Sequence, residues 1–421
     1  MTGWTTLLEG SLRERALRTV EEIAGVLRER QGVEGPTLSG GLAGLAFLFA
    51  ELDRAQPQQG HRAYAEQFLL EAASALEEIP LPPWLYAGFS GIAWSISRLG
   101  AMGITSVEGL EEIDEVLLGL VSQHPWNADY DLISGLVGLG VYALERMPRP
   151  VAVRCLEEIV ARLAERSTPA GPGLSWWTPV RHLPKEQAAV YREGHFNLGV
   201  AHGVPAVVAL LGLIARAGVS ERKARELAMG GARWLLANVL PDSPGARFPW
   251  CVAPGTPVEP ARSAWCYGDP GAVVCLRIAA RALSDGELER VALEIAREAA
   301  RRPMAQAGVR DAAICHGSAG LGHLYNRLYQ SSREPVFKEA ATAWFAQTLE
   351  MRRPGEGLAG YLSWYPKTDG EGDEDEEEDE LGGGMDGTLL EGAAGTALTL
   401  LAACHPLPPT WDGMLLAAIP D

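Results

Sequence analysis

A glycine pair that recurs seven times restricts this chain more than any other feature of its sequence. In each copy a small or polar lead-in runs into Gly-x-x-Gly and then into an apolar stretch of helical length. The copies are SGGLAGLAFLF (Gly41, Gly44), AGFSGIAWSI (Gly88, Gly91), ISGLVGLGVY (Gly135, Gly138), AHGVPAVVALL (Gly203, with Ala206 in the second place), WCYGDPGAVVCL (Gly268, Gly271), CHGSAGLGHLY (Gly317, Gly320) and LEGAAGTALTL (Gly392, Gly395). The first glycines are spaced by 47, 47, 68, 65, 49 and 75 residues, a period near 47 broken by three insertions.

Between the copies lie segments with charge on one helical face and Leu, Ile or Val on the other: 11–31, 61–79, 106–124, 151–166, 220–240, 286–302 and 334–351. Each unit reads as an amphipathic helix followed by a helix that is apolar all round and must therefore be buried. The expected fold is all-α, an α/α toroid with seven inner and seven outer helices. An open solenoid would need atypical capping repeats, whereas here the last copy resembles the first. The glycines are expected at inner-helix N-termini, where lack of Cβ allows close approach and unusual backbone angles. That places all seven preceding loops on one rim.

Residues 1–421 are expected to form a single domain with the insertions as loops on that rim. Residues 167–197, rich in Trp, Pro and Gly, read as a lid or hairpin, and 241–264 as a loop. The third insertion carries an acidic tract, 369–380, in which ten of twelve residues are Asp or Glu. Such a block is expected to be solvated and disordered. It supplies about half of the formal net charge of -18. No Lys/Arg cluster suggests nucleic acid or an anionic membrane as partner. No apolar run reaches the roughly 20 residues that span a bilayer, and the N-terminus lacks a secretory signal, so a cytoplasmic protein is expected. There the six cysteines read as thiols or metal ligands rather than disulfides.

Ahead of the glycines stand Asp131, His202, Arg262 with Cys266, and the adjacent Cys315 and His316. Two cysteines and one histidine on neighbouring repeats can meet on one rim. Three protein ligands and an open fourth position are the pattern of catalytic zinc, so one Zn²⁺ per chain is expected on Cys266, Cys315 and His316. His195 and His323 read as satisfied polar residues, and Cys155, Cys251 and Cys275 as packing or surface residues. Cys404-His405 lies past the last apolar helix and carries no expectation of chemistry. Asp131 as a helix N-cap is the plain alternative.

SAWCYGDPG and CHGSAGLGHLY, with NLGVAHG and YDLISGLVGLGVYAL, resemble the lanthionine synthetase C-like family, and the resemblance runs through all seven repeats. It implies a double ring of seven plus seven helices, zinc on Cys266, Cys315 and His316, and catalytic roles for His202, Asp131, Arg262 and Tyr267. It implies a zinc-dependent cyclase that adds a cysteine thiolate to dehydroalanine or dehydrobutyrine in a dehydrated, leader-bearing precursor peptide, with a dehydratase as partner. Pro205-Ala206 and the acidic tract depart from the pattern without removing a catalytic position.

The residues suit that chemistry. Two protein thiolates cancel the metal's charge and leave a bound substrate thiolate electron-rich. Arg262 is the candidate to stabilise the enolate. His202 is the candidate to protonate the α-carbon, with Asp131 orienting it or holding the thiol's proton. Other readings are addition of glutathione or another free thiol, a non-catalytic scaffold docking a peptide or dehydratase, and a glycosidase. The last needs a carboxylate pair, and Asp131 has no evident partner at the rim.

Overall fold

A computed structural model of the chain describes residues 3–105, 109–364 and 384–421. Amphipathic helices α1 (Gly10–Leu27), α3 (His61–Glu78), α5 (Leu110–Val121), α7 (Pro150–Arg166), α10 (Glu221–Ala237), α12 (Gly286–Ala299) and α14 (Pro335–Glu350) form an outer ring. The apolar helices α2 (Leu42–Ala55), α4 (Phe89–Ala101), α6 (Leu136–Glu145), α9 (Val204–Arg216), α11 (Asp269–Leu283), α13 (Ser318–Ser332) and α15 (Ala393–Cys404) form the inner ring. A short helix, α8 (Lys185–Val190), lies in the first insertion. The toroid expected from the repeat is therefore present. The apolar helices are buried on nearly every face, and in α15 every residue from Ala393 to Cys404 is buried. Among the described residues no helix is long and apolar enough to cross a membrane.

Each inner helix touches the next around the ring, and α15 closes it by packing on α2. The sequence suggests units of an outer helix followed by an inner one. The packing is offset by one helix: α2 pairs chiefly with α3, α9 with α10, α11 with α12 and α13 with α14, while α15 is completed by α1. Leu7 and Leu8 N–H both donate to Ala403 O, Trp4 Nε1 donates to Ala402 O, and Arg13 Nε donates to Cys404 O at 2.9 Å. The two ends of the chain thus share one repeat.

All seven first glycines are inner-helix N-caps: Gly41, Gly88, Gly135, Gly203, Gly268, Gly317 and Gly392. Unusual backbone angles explain only Gly268, with φ 94°; the other six are extended. Close approach explains them. A Cβ on Gly88 would overlap the Pro82 carbonyl, because the loop folds back over the helix start. The loops are also tied to one another. Ser39 N–H donates to Tyr86 O, Leu132 to Ala201 O, Val200 to Cys266 O, Cys266 to Cys315 O, Cys315 to Leu390 O and Leu390 to Ser39 O. This belt of backbone bonds holds the rim at fixed spacing.

The insertion at 167–197 contributes three strands of a four-stranded sheet and the short helix α8. Strands β1 (Ser167–Ala170), β2 (Gly173–Pro179), β3 (Gly194–Asn197) and β4 (Cys251–Val252) pair antiparallel in that order. The stretch 241–264, expected to be loop, supplies β4. Trp176 is fully buried and its Nε1 donates to Leu163 O at 2.8 Å, which pins β2 to the end of α7. The acidic tract at 369–380 lies outside the described residues.

Candidate active site

Four rim loops bring the predicted residues together. Cys315 and His316 end the loop before α13, and Cys266 ends the loop before α11. The backbone bond from Cys266 N–H to Cys315 O (3.2 Å) fixes the two loops side by side. The thiols interact: the hydrogen bond from Cys315, opposed by burial and aided by Arg262, holds Cys266 well below the usual thiol range, and Cys315 is correspondingly raised. Arg262 reaches Cys266 Sγ at 3.8 Å. The His316 ring presents Nε2 to Asp311 Oδ2 at 3.1 Å, which leaves Nδ1 as the nitrogen open to a metal. Asp311 is itself fixed by Ala313 N–H and Trp364 N–H, each at 3.1 Å. A carboxylate gripping the far nitrogen of an imidazole is the usual support of a metal-binding histidine. Two sulfurs and a supported imidazole fit zinc as a donor set.

A further donor, Glu391, joins two members of the expected trio. Cys315, His316 and Glu391 have ligand atoms all within 4.8 Å of one another, and Cys266 lies outside that group. Burial raises the Glu391 carboxyl, against the pull of His316. Its carboxylate thus lies close to both Cys315 and His316.

Beside this centre His202 Nδ1 meets Asp131 Oδ2 at 2.5 Å. Asp131 Oδ1 accepts Ser134 N–H at 2.7 Å, so the carboxylate is oriented by its own turn as well as by the imidazole. Burial works to lower the His202 pKa, but the Asp131 bond and charge, with the Cys266 charge, prevail and raise it. An imidazole shifted this way keeps its proton-donating form to higher pH than a free histidine does. The pair faces a cavity of about 160 Å³ whose walls include Asp129, Thr178, His182, Gln187, Asn197 and Tyr267.

The family described as "Lanthionine synthetase C-like protein" matches residues 32–416. This chain belongs to the lanthionine synthetase C-like family. It is 24% identical over 348 residues to "Nisin biosynthesis protein NisC" of Lactococcus lactis subsp. lactis, covering 75% of this chain and 79% of that protein. The solved structure titled "Nisin cyclase" superposes with a TM-score of 0.74 at 21% identity, covering 95% of this chain and 97% of that one. At that identity the structural match speaks to the toroid.

Several polar residues of this family member escaped the sequence analysis. Asn197 accepts Gly199 N–H on Oδ1 (2.8 Å) and donates from Nδ2 to Tyr267 OH at 3.0 Å. His195, which burial pushes down to about 4, faces the same amide at 3.4 Å as a neutral acceptor. Its Nε2 is thus part of the same hydrogen-bond set as Asn197 and Tyr267. Tyr267 lies against Gly199, where a Cβ would overlap its ring. Asp131 does have a carboxylate neighbour. Asp129 is raised by burial and by the Asp131 charge, which corrects the expectation that none stands nearby. His323, by contrast, is bonded to Asp412 at 2.7 Å, away from the rim.

Proposed function

We propose that this chain is a zinc-dependent lanthipeptide cyclase. It adds a cysteine thiol to a dehydroalanine or dehydrobutyrine of the same peptide, forming a lanthionine or methyllanthionine thioether ring. The observation that carries this reading is that Cys266, Cys315 and His316 stand on neighbouring rim loops beside the Asp131–His202 pair. Family membership and the names of the matched relatives support it.

Cys266, Cys315 and His316 are the residues that would hold one zinc ion, which when bound supplies thiol acidity, since a coordinated thiol is deprotonated outright. Arg262, beside Cys266, is placed to receive the charge that attack on the β-carbon drives onto the substrate's amide oxygen. His202 gives its proton to the α-carbon, and the proton lost by the thiol returns to the imidazole. Asp131 keeps His202 charged and turned toward the cavity. Tyr267 accepts from Asn197, so its own O–H is left to donate to substrate. The inserted sheet and α8 act as a lid that excludes water from the cavity. The substrate is a dehydrated precursor peptide with its leader, handed on by a dehydratase in the cytoplasm.

The test incubates the purified chain with a dehydrated peptide and alkylates the remaining thiols. Ring closure removes one alkylatable thiol per ring at constant peptide mass. A mass gain only when glutathione is added would instead assign intermolecular thiol addition. Peptide retention with no thiol loss would assign a scaffold.

A further inference from the structure

A second imidazole faces the same cavity from the inserted segment. His182 lies between β2 and α8, is 12% exposed, and its Nδ1 bonds Asp129 Oδ1. With the carboxylate ionised the imidazole N–H is the donor. The other hydrogen bonds of residues 180–190 among the described residues are local, such as Leu183 N–H to Val180 O and Ala188 N–H to Pro184 O. His182 is therefore the polar fastening of residues 180–190 to the rim, next to the Tyr130 hydroxyl, which bonds Trp176 O at 3.1 Å and Thr178 Oγ1 at 3.2 Å in β2.

What it fastens is informative. Asp129 opens the turn that carries Asp131. Its carbonyl accepts Trp126 Nε1 at 2.8 Å and Leu136 N–H at 3.3 Å, and it forms a bridge with Gly135 at the other end of the turn. Within that turn Asp131 is held by Ser134 N–H and holds His202. A continuous set of bonds thus runs from the inserted segment through Asp129 and the 129–135 turn to the Asp131–His202 pair.

We propose that His182 is a positioning residue for the reaction: by holding Asp129 it fixes the 129–135 turn, and so aims His202, when the inserted segment is docked on the rim. The proposal rests on the cyclase reading and adds to it a means by which covering the substrate and readying the proton donor happen together. The bonding atom is Nδ1. An asparagine amide nitrogen can stand close to that atom, whereas a glutamine amide reaches toward the position of Nε2.

That difference makes the test. Full-length His182→Leu, His182→Gln and His182→Asn are compared with wild type on a dehydrated peptide, with zinc content measured alongside. The leucine variant loses on the order of tenfold to a hundredfold in kcat with little change in KM, as expected for misaimed reacting groups. Asparagine recovers most of that rate and glutamine does not, and zinc content is the same throughout. If asparagine is as slow as leucine, the imidazole itself exchanges protons with substrate and the proposal is wrong. A loss confined to KM also overturns it, since the segment would then only bind peptide. Hydrogen exchange of the 129–136 amides decides independently of turnover. It quickens in the leucine variant if His182 fixes the turn, and unchanged exchange contradicts the proposal. A wild-type chain that leaves peptide thiols untouched would count against the cyclase reading alone.

Discussion

His202 occupies a place where burial alone would favour the neutral imidazole, yet Asp131 turns the balance the other way. Since the folded pKa lies above the ordinary 6.5, the acid form persists as pH rises and is lost only on passing that higher value. Turnover limited by this proton should therefore fall with rising pH. Asp131→Asn removes the charge that opposes burial and leaves only a weaker, neutral hydrogen bond, so its decline should come at lower pH; a pH–rate profile of the two proteins checks this. His202→Asn should keep its zinc while cyclisation slows by about 10² to 10⁴, the usual worth of a positioned acid; metal analysis beside a thiol-alkylation assay separates the two effects. Cys266, Cys315, His316 and His202 were found because they stand one or two places before a repeat glycine. Glu391 occupies that position before Gly392 and was overlooked, because an acidic residue beside a loop is ordinary. Six places before their glycines stand Asp129, Asn197, Arg262, Asp311 and Asp386. Four of these went unread because the offset has meaning only once the loop is seen to fold back on the helix start.

At the scale of elements, the glycines and the helices they open were legible for different reasons. The 3.6-residue periodicity located outer helices to within a few residues, as with 61–79 against His61–Glu78, because one face of each is wet and the other dry. The inserted sheet had no such signal. Its strands are short, and β4 is a two-residue partner for β3 that lies more than fifty residues further along the chain. Apart from Gly268, whose φ is 94°, the glycine requirement is one of space. Gly88 belongs to a repeat without chemistry at the rim, so Gly88→Ala isolates architecture: overlap with the Pro82 carbonyl should cost about 1–3 kcal/mol. Thermal unfolding would register this as a lower Tm with zinc content unchanged. Ala206 shows that the second glycine of the motif is replaceable where the loop leaves room for a methyl group.

The whole molecule is a ring whose closure depends on its two ends meeting. The order of helices in the sequence suggests that each outer helix belongs with the inner helix after it. Packing joins it to the one before, and α1 must find α15 across the full length of the chain. Leu8 is fully buried in that junction. Leu8→Ala should destabilise by about 2–5 kcal/mol, the usual range for such a core truncation, and denaturant unfolding would measure it. Closure also spaces the seven rim loops, so the belt of backbone bonds from Ser39 around to Leu390 sets the distance between Cys266 and Cys315. Site and fold are in this sense one construction, and the proposed zinc site depends on both. The direct measurement is zinc per chain in the purified wild type beside Cys315→Ala. The account predicts about one zinc in the wild type, as for a centre with three protein ligands, and none retained in the folded variant. A folded wild type that neither carries nor takes up zinc, or a Cys315→Ala protein that holds as much as the wild type, would contradict it.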